Sequence, residues 1–281
     1  MPSPFASARR RLTGALTAAA LTVAGLPSPL AAQGDLLIAP TRLVLDGRRG
    51  GEVILSNIGS EEATYRVALE LRRMTAEGGL EPVDEAAASV SEKAALEMIR
   101  YAPRRVTLPP GQPQAIRISA RPDAALPDGE YRVHMSFNAL PKVEALGTAL
   151  TEGNQGLSIN IIPVFGITMP IIVRKGELEV VAGISNPRLV QTERGPAFAV
   201  DITRAGEASL YGDLLVYKPG NSEPVLVVRG LGVYPEIPAR HATFGLSPEQ
   251  AAAIRGPVRI ELRDPLQSGG GLIAALDAVL Q

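Results

Sequence analysis

The stretch GLSINIIPVFGITMPIIV, residues 156–173, decides the fold class of this chain. In its first half the branched residues Leu157, Ile159 and Ile161 alternate with polar residues. A period of two is typical of a β-strand with one buried face. Such a long strand is usually covered or paired, because bare strand edges aggregate. The stretch therefore predicts a strand that either its own sheet or a partner protein covers.

The chain before this stretch consists of short apolar segments separated by turn residues. Asp46-Gly47, Pro109-Pro110-Gly111 and Pro127-Asp128-Gly129 are typical turn sequences. Seven strands at this spacing predict an immunoglobulin-like β-sandwich. Only Glu81–Ile99, rich in Ala, Glu and Lys, favours helix, and we predict a surface loop or a short helical turn there. The predicted strands are Asp35–Leu45, Glu52–Ser56, Ala63–Arg73, Met98–Val106, Gln114–Ala120, Glu130–Ala139 and Gly156–Val173.

A second set of strands follows Lys175-Gly176 and predicts a second, smaller β-sandwich. Asn186-Pro187 and Gly269–Gly271 are expected breaks, and Leu272–Leu280 is expected to be a closing strand. The fold class is therefore all-β, with domains at 33–174 and 175–281 that meet at a fixed, boomerang-like angle. The other predicted strands are Glu177–Ala182, Ala197–Arg204, Gly212–Lys218, Val225–Val228, His241–Gly245 and Val258–Arg263.

Residues 1–32 have the pattern of a cleavable signal peptide. Arg9–Arg11 form a basic start, and Leu12–Leu26 is an apolar run rich in Ala and Leu. Cleavage is expected near the bond between Ala32 and Gln33. The apolar run is too short and too interrupted for a lasting transmembrane anchor, so we expect an exported protein with no stable membrane insertion.

The charge balance argues against a nucleic-acid binder. The chain has 28 Lys and Arg and 29 Asp and Glu. Without the three arginines of the signal peptide, 25 basic residues face the same 29 acidic ones, a net charge of −4. A nucleic-acid binder should instead be strongly basic. The chain has no Cys, so no disulfide stabilises this exported protein.

The sequence contains little of the chemistry that an enzyme needs. There are two histidines, His134 and His241, and His134 lies in an alternating strand that predicts a packed or surface position. Two distant histidines without Cys do not make a usual zinc site. The run Gly269–Gly271 lacks the Lys and the strand-to-helix setting of a phosphate loop. We therefore predict no catalytic residue, no metal and no cofactor.

Four segments carry a resemblance to a known family. They are IAPTRLVLDG (38–47), VILSNIGSEEATYRV (53–67), VTLPPGQPQAIRI (106–118) and LPDGEYRVHMSFNALP (126–141). In this order, after a signal peptide and within two cysteine-free sandwiches, they resemble the PapD-like periplasmic chaperones of pilus assembly. The chain is similar to a divergent member of that family.

The resemblance implies that the long strand binds pilus subunits. Family members lend a strand to a subunit that lacks its own last strand. They then deliver the subunit to an outer-membrane usher. In this chain Leu157, Ile159, Ile161 and Ile167 would fill the groove of the subunit. Backbone pairing would supply general affinity and the alternate side chains specificity. The implied location is the periplasm.

The resemblance also implies a site for the terminal carboxylate of the subunit. Arg42, in the pair Thr41-Arg42, matches the basic residue of the first strand. The second basic residue of the family is missing, since no Lys or Arg occurs between Val143 and Val173. Arg174, Glu130 and Asp264 match the family network that fixes the angle between the domains.

Two other classes of function compete with this prediction. An exported structural or adhesive subunit of a surface fibre is also built from β-sandwiches, but it should carry an alternating apolar extension before an incomplete sandwich. Here the first predicted strand follows the expected cleavage site closely. An enzyme or a solute-binding protein is disfavoured by the residue types described above.

Overall fold

The computed structural model describes residues 36–141 and 166–281. Ten strands and one helix, α1 (Val90–Met98), come first along the chain. The strands are β1 (Leu36–Ala39), β2 (Leu43–Leu45), β3 (Gly51–Asn57), β4 (Ala63–Met74), β5 (Leu80–Val83), β6 (Ile99–Ala102), β7 (Arg105–Leu108), β8 (Pro113–Ala120), β9 (Gly129–Leu140) and β10 (Gly166–Lys175).

These strands form two sheets that pack on one hydrophobic core. One sheet has the order β1-β3-β8-β6, and the other has the order β2-β10-β9-β4-β5, with β7 paired to β4. Alternate residues of each strand point into the core, as a half-buried sheet requires. Fully burying one such branched or aromatic side chain stabilises the fold by roughly 1.5–3 kcal/mol. The core includes Leu55, Tyr65, Ile116, Ile118, Met135, Phe137 and Ile171.

Two predicted strands are each divided by a proline. The segment 35–45 forms β1 in one sheet and β2 in the other, with Pro40 between them. The segment 98–106 similarly passes from β6 to β7 around Pro103. Proline has no N–H to donate to a ladder, so it marks the point where the chain leaves one sheet for the other.

The segment 81–99, predicted as a surface loop or a short helical turn, contains a helix. After β5 and a short turn at Glu85–Ala87, α1 runs for nine residues. Ser89 and Glu92 form a capping box, in which each side chain accepts a hydrogen bond from the backbone N–H of the other residue. The helix buries Ala95 and Met98 against the core, so packing stabilises a segment whose composition alone predicts only a turn.

The rest of the chain forms a second β-sandwich with its own core. Its sheets have the orders β11-β12-β15 and β14-β13-β16-β17, and Phe198, Val200, Leu214 and Ile260 belong to its core. The elements are β11 (Val180–Thr192), β12 (Gly195–Gly206), β13 (Leu210–Tyr217), β14 (Leu226–Val233), β15 (Ala239–Gly245), α2 (Pro248–Ile254), β16 (Gly256–Arg263) and β17 (Leu272–Leu280).

The second sandwich differs from the sequence prediction at one break. Strand β11 continues through Asn186-Pro187, where the predicted set has a turn. The pairing with β12 shifts between Ser185 and Arg188, and Asn186 has a φ of 50°. The residues that favour a turn therefore form a bulge inside a longer strand. The predicted closing strand over 272–280 is found as β17.

The two cores support the predicted division at residues 174 and 175, which itself stays a proposal. Residues within 36–139 and 169–173 form one core, and residues within 198–280 form the other. Among the described residues, no helix is both long and apolar enough to cross a membrane.

Candidate functional site

Strand β10 has an open edge along its first half. It pairs with β9 over its whole length, from Gly166 to Lys175. On its other edge it pairs with β2 only from Ile171 to Val173. Within the described ranges, Gly166–Pro170 therefore has a free edge next to residue 165. Free backbone N–H and C=O groups of this kind are a template for an added strand.

The side chains on the core-facing side of β10 become more exposed toward the N-terminal end of the strand, where its edge is free. Ile171 and Met169 are buried, whereas Ile167, two residues further toward the N-terminus, is 39% exposed. These residues share one face, because side chains alternate along a strand. Ile167 thus presents an apolar side chain that its own sandwich covers only in part.

The predicted strand residues before Ile167 lie outside the described part of the chain. Leu157, Ile159 and Ile161 fall within 142–165. Their predicted role in binding a subunit therefore stays a prediction. Along an unbroken strand these residues would share the face of Ile167 and Met169, because all five positions are odd-numbered.

Arg42 lies where the free edge of β10 ends and its pairing with β2 begins. Leu43 is the first residue of β2 and stands opposite Ile171 of β10 in a parallel pairing. Arg42 comes directly before it, at the level where β10 loses its partner strand. Thr41, the other member of the predicted pair, is exposed. The turn around Pro40 between β1 and β2 thus positions a guanidinium at the start of the free edge.

Arg42 is packed against the second sandwich. Its guanidinium lies over the ring of Tyr211, 4.4 Å from the centroid, and its Nη2 donates to Ser209 Oγ at 3.1 Å. Its buried Nε has no hydrogen-bond partner among the described residues. Burial, followed by the nearby charge of Arg174, lowers the pKa of Arg42 from its ordinary value. No described carboxylate forms an ion pair with Arg42, so neighbouring negative charges only partly neutralise its guanidinium.

Arg174 and Glu130 form the predicted ion pair. Arg174 Nε donates to Glu130 Oε2 at 3.1 Å, and the Glu130 side chain is only 1% exposed. The same carboxylate oxygen accepts from the backbone N and from Oγ of Ser209, both at 2.9 Å. Arg42, Arg174 and Glu130 together carry one net positive charge. The cluster therefore has the electrostatic character of a site for a single negative charge.

The structure does not bring Asp264 into this cluster. Within the described residues Arg174 forms an ion pair only with Glu130, and its contact in the second sandwich is Ser209, through Oγ and the carbonyl oxygen. Asp264 follows β16, and its N–H donates to the carbonyl of Gly271 at 2.8 Å. The predicted contact between Arg174 and Asp264 is therefore corrected to one between Arg174 and Ser209.

A second cluster between the sandwiches was missed by the sequence prediction. Arg132 Nη2 donates to Glu236 Oε1 at 2.6 Å, and its guanidinium lies 3.7 Å from the ring centroid of Tyr234. The N–H of Met74 donates to the same Glu236 oxygen at 2.7 Å. Tyr234 also packs with Met74 and Ile172. The available signal was the sequence YPEIP (234–238), an aromatic and an acidic residue in a turn between prolines.

The histidines and acidic residues of the described ranges are spread over both sandwiches. No group of three or more His, Cys, Asp or Glu side chains in these ranges could hold a metal ion. His134 is buried. Of the two positions predicted for it, packed or on the surface, it occupies the packed one. His241 Nδ1 lies 2.8 Å from Asp201 Oδ1 on the second sandwich, with no nucleophile in the pair.

Comparisons with known proteins give matches among solved structures alone. No known protein-family profile matches the chain, and no curated protein matches it. One similar structure is the CsuC–CsuE chaperone–tip adhesion subunit complex of Acinetobacter baumannii pili, with 11% identity, a TM-score of 0.45, and coverage of 88% of this chain and 100% of that one. The CupB2 chaperone of Pseudomonas aeruginosa shows 14% identity, a TM-score of 0.45, and coverage of 87% and 100%.

A third similar structure is the SafA pilin of Salmonella enterica in complex with the SafB chaperone. It shows 15% identity and a TM-score of 0.42, with coverage of 88% of this chain and 96% of that one. All three structures contain a chaperone, and two of them contain a chaperone bound to a pilus subunit.

Proposed function

We propose that this chain is a periplasmic chaperone of the PapD-like type. It binds pilus subunits that lack their last strand, completes their fold with its own strand, and delivers them to an outer-membrane usher. The signal-peptide pattern of residues 1–32 supports export. The proposed partners are incomplete immunoglobulin-like subunits and the usher, and the proposed function involves no catalysis.

The open edge of β10 is the observation that carries the proposal. A subunit strand added along Gly166–Pro170 and the preceding residues would gain backbone hydrogen bonds along a template that β2 leaves free. Ile167 and the residues in phase with it would enter the groove of the subunit. Each fully buried branched side chain contributes roughly 1.5–3 kcal/mol, so a few of them offset the cost of ordering the strand.

The charge at the end of this edge supports the same proposal. A subunit strand along β10 would meet Arg42 where the edge closes. The single net positive charge of the cluster suits one terminal carboxylate, and guanidinium groups bind carboxylates through strong charge-assisted hydrogen bonds. Arg174 provides a second guanidinium there, although no basic residue occurs between Val143 and Val173.

The proposal is tested with charged residues in the strand. Ile159→Asp together with Ile161→Asp, and separately Ile167→Asp, should abolish co-purification of a co-expressed pilus subunit that lacks its last strand, because a carboxylate cannot enter an apolar groove. The melting temperature should stay nearly unchanged. Val181→Asp is the matched control, since Val181 is an exposed apolar residue of an edge strand in the second sandwich.

Two results would contradict the proposal. One is retained capture by the Ile159 and Ile161 double variant. The other is a large drop in its melting temperature, which would show that these side chains belong to the core of the chaperone itself. The Val181 variant should capture subunits like the unchanged protein.

A further inference from the structure

Ser209 belongs to the second sandwich, yet its partners lie on the first. It directly precedes β13 and is 3% exposed. Its Oγ lies 3.1 Å from Arg42 Nη2, 3.4 Å from Arg174 Nη2 and 2.9 Å from Glu130 Oε2. One hydroxyl therefore contacts all three charged groups of the cluster.

The donor and acceptor roles at Ser209 follow from the chemistry of its partners. An ionised carboxylate only accepts hydrogen bonds and a guanidinium only donates them. The single hydroxyl proton of Ser209 must therefore point to Glu130, and the oxygen accepts from both Arg42 and Arg174. Glu130 also accepts from the Ser209 N–H, so the residue is oriented through two of its own groups.

Arg42 depends on this hydroxyl for its orientation. Among the described residues, the bond to Ser209 Oγ is the one hydrogen bond that its guanidinium makes, and the other contact is the face of Tyr211. A ring face lets a guanidinium shift and tilt over it by changes in the side-chain torsions, whereas a directional hydrogen bond at Nη2 fixes the group in one place. Nη1 makes no hydrogen bond with the described residues and then remains available to a ligand.

We infer that Ser209 is a positioning residue for carboxylate binding at Arg42. The inference rests on the proposed function and adds the second sandwich to the recognition site. The hydroxyl holds the Arg42 guanidinium in one orientation, and an incoming carboxylate therefore meets donors that are already ordered. Without the hydroxyl, the ordering cost falls on the binding step.

The test compares two peptides that differ only at their C-terminus. Both are eleven-residue peptides with alternating valine and threonine, and one ends in a free carboxylate while the other ends in an amide. Unchanged protein should bind the free acid more tightly. In Ser209→Ala the ratio of the two affinities should fall about tenfold, the effect of losing one hydrogen bond to a charged group.

The ratio separates positioning from a general structural role. Ser209→Ala should fold, because alanine keeps the N–H that donates to Glu130. A structural defect would weaken both peptides equally and leave the ratio unchanged, and that result would overturn the inference. Ser185→Ala is the control, since Ser185 lies on β11 and makes none of these contacts; its ratio should equal that of the unchanged protein.

Failure of the proposed function would be visible in the unchanged protein. If it binds neither peptide, both the proposed function and the role of Ser209 fail. If it prefers the free acid and Ser209→Ala keeps the full preference, only the role of Ser209 is overturned.

Discussion

His134 shows how the contact between the sandwiches sets the charge of one residue. Its ring meets that of Tyr234 edge to face, with 6.2 Å between centroids, and in the described part of the chain neither ring nitrogen has a hydrogen-bond partner. Glu70 stands opposite it on β4, and Arg72 and Arg132 lie nearby. Burial first, and then these two arginines, lower the pKa of His134 to about 3.

Acid should therefore destabilise the protein through His134. The unfolded chain binds the proton with an ordinary pKa of 6.5, so the stability contribution is complete above that pH and is lost as pH falls toward 3. At pH 5 the loss should be roughly 2 kcal/mol. Urea unfolding at pH 7 and pH 5 measures it, and His134→Phe should remove this part of the difference. An equal pH dependence in that variant would contradict the assignment.

Single residues also show which parts of the site could be predicted from sequence. Arg42 and Glu130 were identifiable because they lie in segments that resemble a family, and Arg174 because it directly follows the long predicted strand. Ser209 was not, since its partner Glu130 is 79 residues away and an isolated serine before a strand has no local signal. Asp264 was assigned by its position before a glycine turn, and position alone does not establish a contact.

The hairpin between β4 and β5 is the element that contacts β15 of the second sandwich. The N–H of His241 donates to the carbonyl of Ala76 at 2.7 Å. Gly78, in the turn, has a φ of 86°, and a Cβ there would meet the Arg240 guanidinium. Arg240 in turn donates to the carbonyl of Gly232 at 2.9 Å. Gly78 thus permits the positive φ of the turn and also leaves room for the Arg240 guanidinium.

Gly78→Ala should therefore destabilise the protein more than an equivalent change in an open turn. Gly111 is the matched control, because it also has a positive φ, of 71°, but no atom of the described residues lies within 4 Å of its added Cβ. Gly111→Ala should cost about 1–2 kcal/mol of backbone strain. Gly78→Ala should cost about 1 kcal/mol more, as Arg240 loses its hydrogen bond. Equal losses in urea unfolding would show that Arg240 moves aside freely.

The elements divide into those with a local signal and those formed by long-range packing. The alternation in β4 and β9 predicts strands well, because one face of each is buried in a core. Helix α2 was missed, although Ser247 and Gln250 form the capping box that its sequence indicates. The open edge of β10 had no such signal, because which strand pairs with which depends on residues far apart in the chain.

At the scale of the whole molecule, Glu236 connects the two sandwiches through both a side chain and the backbone. It accepts from Arg132 on β9 and from the N–H of Met74 at the end of β4. The Arg132 side chain is only 9% exposed, so the pair is shielded from water. Glu236, Ser209 and the bond from the His241 N–H to the Ala76 carbonyl thus give the contact between the sandwiches three separate polar anchors.

Glu236→Ala should loosen this contact without unfolding either core. The Met74 amide loses its acceptor and should exchange hydrogen at least about tenfold faster, since a bond to a charged group contributes roughly 1.5–3 kcal/mol. Hydrogen exchange followed by mass spectrometry or NMR measures the effect. Asp277→Ala, which breaks an ion pair with Arg259 inside the second sandwich, should leave the Met74 amide protected. Unchanged exchange in Glu236→Ala would refute the anchor.

Because Arg42 lies at the end of the open edge of β10, a carboxylate bound to it would fix the register of any strand added along that edge. A partner chain held by its last carboxylate is measured from that end, at about 3.3 Å per residue. One extra residue before the partner's terminus would turn each of its apolar side chains to the wrong face. Two extra residues would restore the faces and displace every side chain by one pocket. If the proposed function holds, this edge would select partners by whether the number of residues between the groove and the terminus is odd or even.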